Sequence, residues 1–152
     1  MPLKLMTGAF AQGAVIPKLY TGEGADLSPA IEWTDPPAGT RSFAFIVDDP
    51  DAPAGTWNHW LLWDIPAGTR NLAQGFRPPQ TGVSGKNDFG KPGYGGPMPP
   101  AGHGPHRYYF KLYALDVPSL GLAAGARRDD LDRALRGHIL SEAQCMGRYQ
   151  RG

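Results

Sequence analysis

Two short segments carry most of the side chains that could do chemistry. The first, DPDAP, places Asp49 and Asp51 on either side of a proline, and His59 follows in the sequence WNHW. The second ends in HRY and contributes His106 and Tyr108. Two imidazoles and a phenol offer the hydrogen-bond donors that a phosphate or carboxylate group requires. If the segments meet in space, their polar side chains form one small site for an oxyanion.

A carboxylate that faced a bound anion would repel it, so Asp49 is expected to act through a histidine. It would accept a proton from one imidazole nitrogen, fix the tautomer of the ring and favour its charged form. The alternative is structural: Asp49 and Asp51 cap turns, as aspartate beside proline commonly does, and the histidines are satisfied core residues. The residues alone leave both interpretations open.

The same side chains would also serve an enzyme. It would be either a hydrolase with Asp49 or His106 as general base, or a metal site of two histidines and a carboxylate. The sequence has no Gly-x-Ser-x-Gly elbow, since residues 82–85 (GVSG) have the wrong spacing, and no His-Glu-x-x-His or paired-cysteine motif. A non-enzymatic protein without cofactor or bound metal is therefore expected.

Composition restricts the partners of the chain. Its 152 residues include 15 basic and 14 acidic side chains, so it lacks the broad charged surface that binds nucleic acid or anionic membranes. No segment approaches the roughly 18 apolar residues of a membrane helix, and the N-terminal residues form no apolar leader. A single domain over 1–152 with a cytoplasmic location is expected. The lone cysteine, Cys145, is expected to be a buried thiol.

Glycine and proline separate a series of short apolar runs, a pattern typical of a mainly β protein. The predicted strands cover residues 3–7, 30–34, 42–48, 58–65 and 107–116. The third has apolar residues on both faces, as a central strand does. One face holds Phe43, Phe45 and Val47, and the other holds Ala44 and Ile46.

Alternation also assigns faces in the two strands that carry histidines. It groups four residues on one side of strand 58–65: His59, Leu61, Trp63 and Ile65. In strand 107–116 it points His106 and Tyr108 the same way. Arg107 then points the opposite way, where it is expected to pair with Asp51 or Asp116.

Residues 90–105 contain six glycines and five prolines in sixteen positions. An ordered loop is expected here, because Gly and Pro fix tight turns and let the backbone approach a ligand closely. A cis X-Pro bond is expected in this loop or at Pro53. His103 in the loop and His138 near the C-terminus are interpreted as a loop residue and a packing residue, not as ligands.

The periodicity changes near the C-terminus. Apolar residues recur every four positions at Leu131, Leu135, Ile139 and Ala143. Two aspartates precede them, as at a helix N-terminus. The pattern predicts a helical tail over residues 129–149, kinked at Gly137 and capped by Gly147.

Four segments of the chain resemble the phosphatidylethanolamine-binding protein family, which includes Raf kinase inhibitor protein and many bacterial homologues. They are GADLSPAIEWT (24–34), DPDAPAGTWNHWLLWDIP (49–66), DFGKPGYGGPMPPAGHGPHRYYFKLYALD (88–116) and GHILSEAQCMGRY (137–149). The resemblance covers nearly the whole chain. The short spacing between Asp49 and His59 resembles the bacterial type.

The resemblance implies an all-β protein, an antiparallel Greek-key β-sandwich with a C-terminal helical segment. It implies a small pocket for phosphate, acetate or phosphoethanolamine-like groups, and a function in binding and inhibition. The pocket residues carried over are Asp49, His59, His106 and Tyr108, with Pro53, Trp57 and Gly104 as walls and Asp51 beside them. Further implications are a kinase or protease as target and a homodimer. A lipid-surface role, which the family name suggests, lacks a basic amphipathic helix to support it.

Overall fold

In the computed structural model, which describes residues 2–152, the chain forms eight β-strands and one α-helix. The strands are β1 (Lys4–Met6), β2 (Ile31–Thr34), β3 (Ser42–Asp49), β4 (Trp57–Pro66), β5 (Asn71–Leu72), β6 (Val83–Ser84), β7 (His106–Leu115) and β8 (Ile139–Tyr149). Helix α1 covers Arg128–Leu135, and a short 3-10 turn covers Lys18–Tyr20. All five strands predicted from the sequence are present.

The strands pair antiparallel in two sheets. The smaller sheet has the order β1-β2-β5, and the larger has the order β6-β4-β3-β7-β8. Strand β3 lies at the centre of the larger sheet, and every one of its residues is buried, as predicted for a central strand. The mainly β class is therefore confirmed, while the Greek-key sandwich connection remains a prediction.

The larger sheet carries a hydrophobic cluster on each face. The first cluster joins residues of both sheets, among them Trp33, Phe43, Phe45, Val47 and Trp60. The second packs against α1 and includes Ala44, Ile46, Leu131 and Leu135. Alternation along β3 therefore assigned its two faces correctly. Cys145 is buried in the first cluster, and burial raises the pKa of its thiol to about 11.

Strand β4 departs from strict alternation. Phe43 pairs with Ile65, and Phe45 pairs with Leu62, so two residues of β4 face one residue of β3 between these pairs. Such a bulge shifts the following side chain to the other face. Ile65 accordingly joins the first cluster, whereas Leu61 and Trp63 lie in the second. The predicted grouping of Ile65 with Leu61 and Trp63 was wrong for this reason.

The predicted helical tail was wrong beyond Leu135. The helix ends there, Gly137 follows with a φ of +80°, and residues 139–149 form β8. A spacing of four is also two repeats of a strand, so the apolar period alone did not distinguish a helix from a strand. Pairing with β7 along its whole length decided the outcome. Gly147 is thus a strand residue and not a helix cap.

Two smaller observations complete the description. A cis peptide bond precedes Pro79, and within residues 2–152 none occurs at Pro53 or in the loop 90–105, where the sequence favoured one. No helix in that same range has the length and apolar character needed to cross a bilayer.

The N-terminal segment packs closely over Gly147 of β8. A Cβ atom there would lie 2.5 Å from Cγ1 of Ile16 and 2.8 Å from Cε2 of Phe10. We expect Gly147→Ala to lower the free energy of unfolding by about 1–3 kcal/mol through overpacking. Gly8→Ala is the control, because a Cβ at Gly8 meets no atom within 4 Å. Urea denaturation that gave the two variants equal stability would contradict this packing.

Candidate functional site

Antiparallel pairing brings the two chemistry-bearing segments together at one end of the central strands of the larger sheet. Strand β3 ends at Asp49, whereas β4 begins at Trp57 and β7 begins at His106. Because β3 lies between these strands and runs opposite to both, its last residue lies beside their first residues. The segments meet in the structure, while their role in binding a ligand remains a prediction.

A second bulge in β4 sets the direction of the His59 side chain at this end of the strands. Val47 pairs with Trp60 and Asp48 pairs with Asn58, which leaves His59 without a partner in the ladder. The extra residue turns His59 towards Tyr108, with 5.2 Å between the ring centroids. Alternation, which grouped His59 with the residues of the second cluster, was therefore wrong here also.

The residues that flank this bulge are held from the opposite face of the sheet. Asp88 accepts hydrogen bonds from the backbone nitrogen of Asn58 at 2.6 Å and from its side-chain amide at 3.0 Å. Arg128 of α1 donates to the side-chain oxygen of Asn58 at 2.8 Å and to Asp48 at 2.9 Å. Lys111 donates to the same carboxylate at 3.0 Å. Asn58, Arg128, Asp48 and Lys111 line a polar cavity of about 680 Å³ on this face, which no sequence pattern predicted.

Three side chains, Asp49, His106 and His103, form a hydrogen-bonded chain where the two segments meet. Nδ1 of His106 donates to Asp49 at 2.6 Å, and both side chains are buried. The other oxygen of Asp49 accepts the backbone N–H of Asp51 at 2.8 Å. The turn-capping role and the histidine-orienting role, which the sequence left as alternatives, are thus both present. Nε2 of His106 lies 2.6 Å from Nδ1 of His103.

His103 is the residue that the sequence analysis missed. It is exposed on the Gly/Pro loop, as expected, but its ring contacts His106 directly. Gly104 between them has a φ of +87°, a conformation that favours glycine and turns the chain tightly. The spacing His-Gly-Pro-His was the signal that could have found this contact.

A cavity of about 210 Å³ opens between these strands and the Gly/Pro loop. Its polar lining comes from Asp49, His59, His106 and Tyr108. Its apolar lining comes mainly from Pro53, Trp57, Phe89, Met98, Pro99 and Pro100. Six of the eight predicted site residues therefore line one cavity. Asp51 and Gly104 do not line it, whereas Phe89 and Met98, which the sequence did not predict, do.

Asp51 lies outside the cavity because it pairs with Arg107 at the surface. The guanidinium donates to the Asp51 carboxylate from Nε at 2.9 Å and from a terminal nitrogen at 2.8 Å. These hydrogen bonds lower the pKa of Asp51 to about 2. The predicted pairing of Arg107 with Asp51 is confirmed, and Asp51 does not line the cavity.

His59 presents one nitrogen to the cavity. Its Nδ1–H donates to the backbone carbonyl of Gly95 at 2.7 Å, so Nε2 is the nitrogen left for a ligand. Burial lowers the pKa of His59 below its ordinary value, although the Gly95 carbonyl and the Asp49 charge oppose the shift. The ring is therefore held neutral in the free protein.

The Tyr108 hydroxyl is a buried donor without an acceptor. Only 1% of Tyr108 is exposed, and its oxygen has no hydrogen-bond partner among residues 2–152. Burial raises the pKa of Tyr108 far above its ordinary value, and the nearby Asp49 carboxylate reinforces the shift through its charge and through a contact whose geometry falls short of a full hydrogen bond. The phenol therefore stays protonated, and a hydrogen bond from its O–H group to a bound acceptor would be stabilising.

The Gly/Pro loop is ordered by specific bonds, as expected. The N–H of Gly95 donates to the carbonyl of His59 at 2.9 Å, and the N–H of Gly96 donates to Asp26 at 2.8 Å. A Cβ at Gly96 would overlap the backbone oxygen of Tyr20, so only glycine fits there. Within residues 2–152, no three His, Cys, Asp or Glu side chains are placed to share a metal ion.

The two sheets and the cavity at the end of the central strand define a class of mainly β protein with a small pocket of polar floor and apolar walls. The family model for phosphatidylethanolamine-binding proteins matches residues 6–150. The chain therefore belongs to the phosphatidylethanolamine-binding protein family and is of the bacterial type.

Relatives match over nearly the whole chain. A UPF0098 protein of Aquifex aeolicus is 51% identical over 98% of this chain and 89% of its own length. The Chlamydia trachomatis homologue CT736 has a TM-score of 0.91 at 37% identity, covering 99% of both chains. Escherichia coli YbcL has a TM-score of 0.92 at 30% identity, covering 100% of both. Carboxypeptidase Y inhibitor, solved with its cognate proteinase, shares the fold alone, with a TM-score of 0.61 at 18% identity over 99% of this chain and 85% of its own.

The lowered pKa of His59 has a consequence for stability. Because the unfolded chain protonates this imidazole more readily than the folded protein, His59 favours folding above about pH 6.5 and this advantage is lost as the pH falls below it. We expect His59→Asn, whose amide can replace the Nδ1 donor, to lose less unfolding free energy than wild type between about pH 7 and 5. The difference is at most about 1.4 kcal/mol per pH unit.

Urea denaturation at a series of pH values measures this difference. His138→Asn serves as control, because it removes an exposed imidazole and should leave the steep decline of the wild type in place. Parallel stability curves for wild type and His59→Asn would show that His59 is protonated as easily in the folded protein as in the unfolded chain.

Proposed function

We propose that this protein is a non-enzymatic binding protein whose cavity takes one small oxyanion, such as phosphate, a carboxylate or a phosphoethanolamine-like head group. The observation that carries the proposal is the Tyr108 hydroxyl, a buried donor at the cavity wall with no acceptor among the described residues. An unsatisfied buried hydroxyl costs about 1–3 kcal/mol, and an anion that accepts its hydrogen bond removes that cost.

The size and lining of the cavity support a single head group. Its volume of about 210 Å³ lies below the range of drug-sized pockets. Apolar walls exclude water, which strengthens each polar contact made inside. An anion beside His59 favours the charged ring, so Nε2 can donate to the ligand once it is bound.

Asp49 is the feature that opposes anion binding. Its charge lies on the same wall, and it is compensated only when His106 carries a proton on both nitrogens. Anion affinity is therefore expected to rise as the pH falls, because each proton added to an imidazole of the cavity offsets the Asp49 charge.

The proposal extends to a protein target such as a kinase or protease, which this protein would inhibit. A phosphorylated or acidic side chain of the target would supply the oxyanion. Phe89 and Met98 support this extension, because each lines the cavity and is 41% exposed. Exposed apolar side chains at the rim of a polar pocket suit contact with a partner chain.

The test is calorimetric titration of inorganic phosphate at about pH 6 into wild type and Tyr108→Phe. We expect Tyr108→Phe to bind phosphate about tenfold more weakly, because one hydrogen bond to a charged group is lost. Its free energy of unfolding should change little, since the hydroxyl makes no well-formed hydrogen bond in the free protein.

Tyr113→Phe is the matched control, because Tyr113 lies on the same strand and faces away from the cavity. It should bind phosphate as wild type does. Ethanolamine is the control ligand, since a cation would be attracted by Asp49 alone. Binding of ethanolamine without binding of phosphate, or equal phosphate affinity in wild type and Tyr108→Phe, would refute the proposal.

A further inference from the structure

His106 has no free nitrogen in the structure. Nδ1 donates to Asp49, and Nε2 is bonded to Nδ1 of His103. Asp49 and His106 are buried, whereas His103 is exposed on the loop that forms one wall of the cavity. A ligand in the cavity can therefore bind His106 only by replacing His103.

The protons of the two imidazoles decide which partner Nε2 takes. When both rings are neutral, Nε2 of His106 accepts the Nδ1–H of His103 and cannot donate to an anion. When the pair has gained one proton, the bond between the rings persists, with either ring as donor. When each ring is charged, all four nitrogens carry hydrogen, no acceptor remains between the rings, and the bond is lost.

We propose that His103 is a further residue of the binding site, an internal competitor that occupies Nε2 of His106 until an oxyanion replaces it. This inference rests on the oxyanion-binding function proposed above. Replacement couples anion binding to proton uptake by His106. The charged ring then offsets Asp49 and offers Nε2–H to the ligand.

The groups around the imidazole pair keep their charge where imidazoles titrate. Arg107 is paired with Asp51, and Arg151 donates to the carbonyl of Pro99 beside the turn that carries His103. Tyr149, opposite His106 on β8, is bonded to Glu23. Arginine and tyrosine side chains do not change charge between about pH 5.5 and 7.5. The neighbours on the cavity side are Asp49, the uncharged Tyr108 and His59. His59 can gain a proton with the anion, but it is present in every variant compared, so its contribution cancels in the ratio of their affinities.

Inorganic sulfate is the probe, because its charge is constant over this pH range and phosphate changes charge within it. Calorimetry compares wild type with His103→Ala at about pH 7.5 and about pH 5.5. At the higher pH we expect His103→Ala to bind sulfate about tenfold more tightly, because no hydrogen bond must break first. At the lower pH the difference between the two affinities should narrow, because the population in which both rings are charged and the bond is absent grows as the pH falls.

Two further variants exclude a merely structural effect. His103→Asn places an amide where Nδ1 lies, so it can still bond Nε2 of His106 but cannot gain a proton. We expect it to bind sulfate more weakly than His103→Ala at both pH values. His138→Ala removes another exposed histidine, bonded to Asp116, and should match wild type throughout.

Equal affinities of wild type and His103→Ala at about pH 7.5, or a ratio that does not change with pH, would overturn the role of His103 while leaving the oxyanion function intact. Absence of sulfate binding by every variant at both pH values would instead remove the oxyanion function. Nitrogen NMR of the ring of His106 then decides whether His103 holds it. An Nε2 signal that is the same in wild type and His103→Ala would show that it does not.

Discussion

The extra residue that β4 inserts opposite β3 is the constraint on which the cavity depends. It turns His59 towards Tyr108 while Asn58 stays on the opposite face, where Asp88 and Arg128 hold it. A regular ladder would send the imidazole to the side covered by α1. The helix therefore contributes to a pocket that it does not line, because its arginine fixes the residue next to the bulge.

The buried polar groups of the pocket are satisfied unequally, and this inequality indicates what the pocket can accept. Asp49 has an internal partner for each oxygen, from His106 and from the backbone of Asp51. A buried charge without such partners would be strongly destabilising. Tyr108, by contrast, has a hydroxyl that makes no well-formed hydrogen bond among the described residues. The protein thus satisfies both oxygens of Asp49 internally but leaves the Tyr108 hydroxyl available as a donor. This favours a ligand that accepts hydrogen bonds.

Much of this arrangement follows from local sequence signals, and the remainder depends on long-range packing. Runs bounded by proline and glycine predicted the strands, and Asp-Pro-Asp and His-Arg-Tyr predicted the residues that meet. The bulge at His59 could not be predicted, because the sequence does not distinguish an extra, unpaired strand residue from a regularly paired one. The contact between His103 and His106 depends on the path of the Gly/Pro loop, which the residue types alone do not specify. In the tail, Ile139 fitted either period, and only pairing with β7 resolved the choice.

The close contact at Gly147 bears on the order in which the molecule can assemble. Residues 13–16 bond to the backbone of β8 through Met146 and Arg148, and Phe10 and Ile16 pack over the missing side chain. During synthesis on the ribosome, the N-terminal segment emerges long before the strand that it rests on. Its apolar side chains therefore stay uncovered until β8 has been synthesised, and exposed apolar surface of this kind is prone to aggregation.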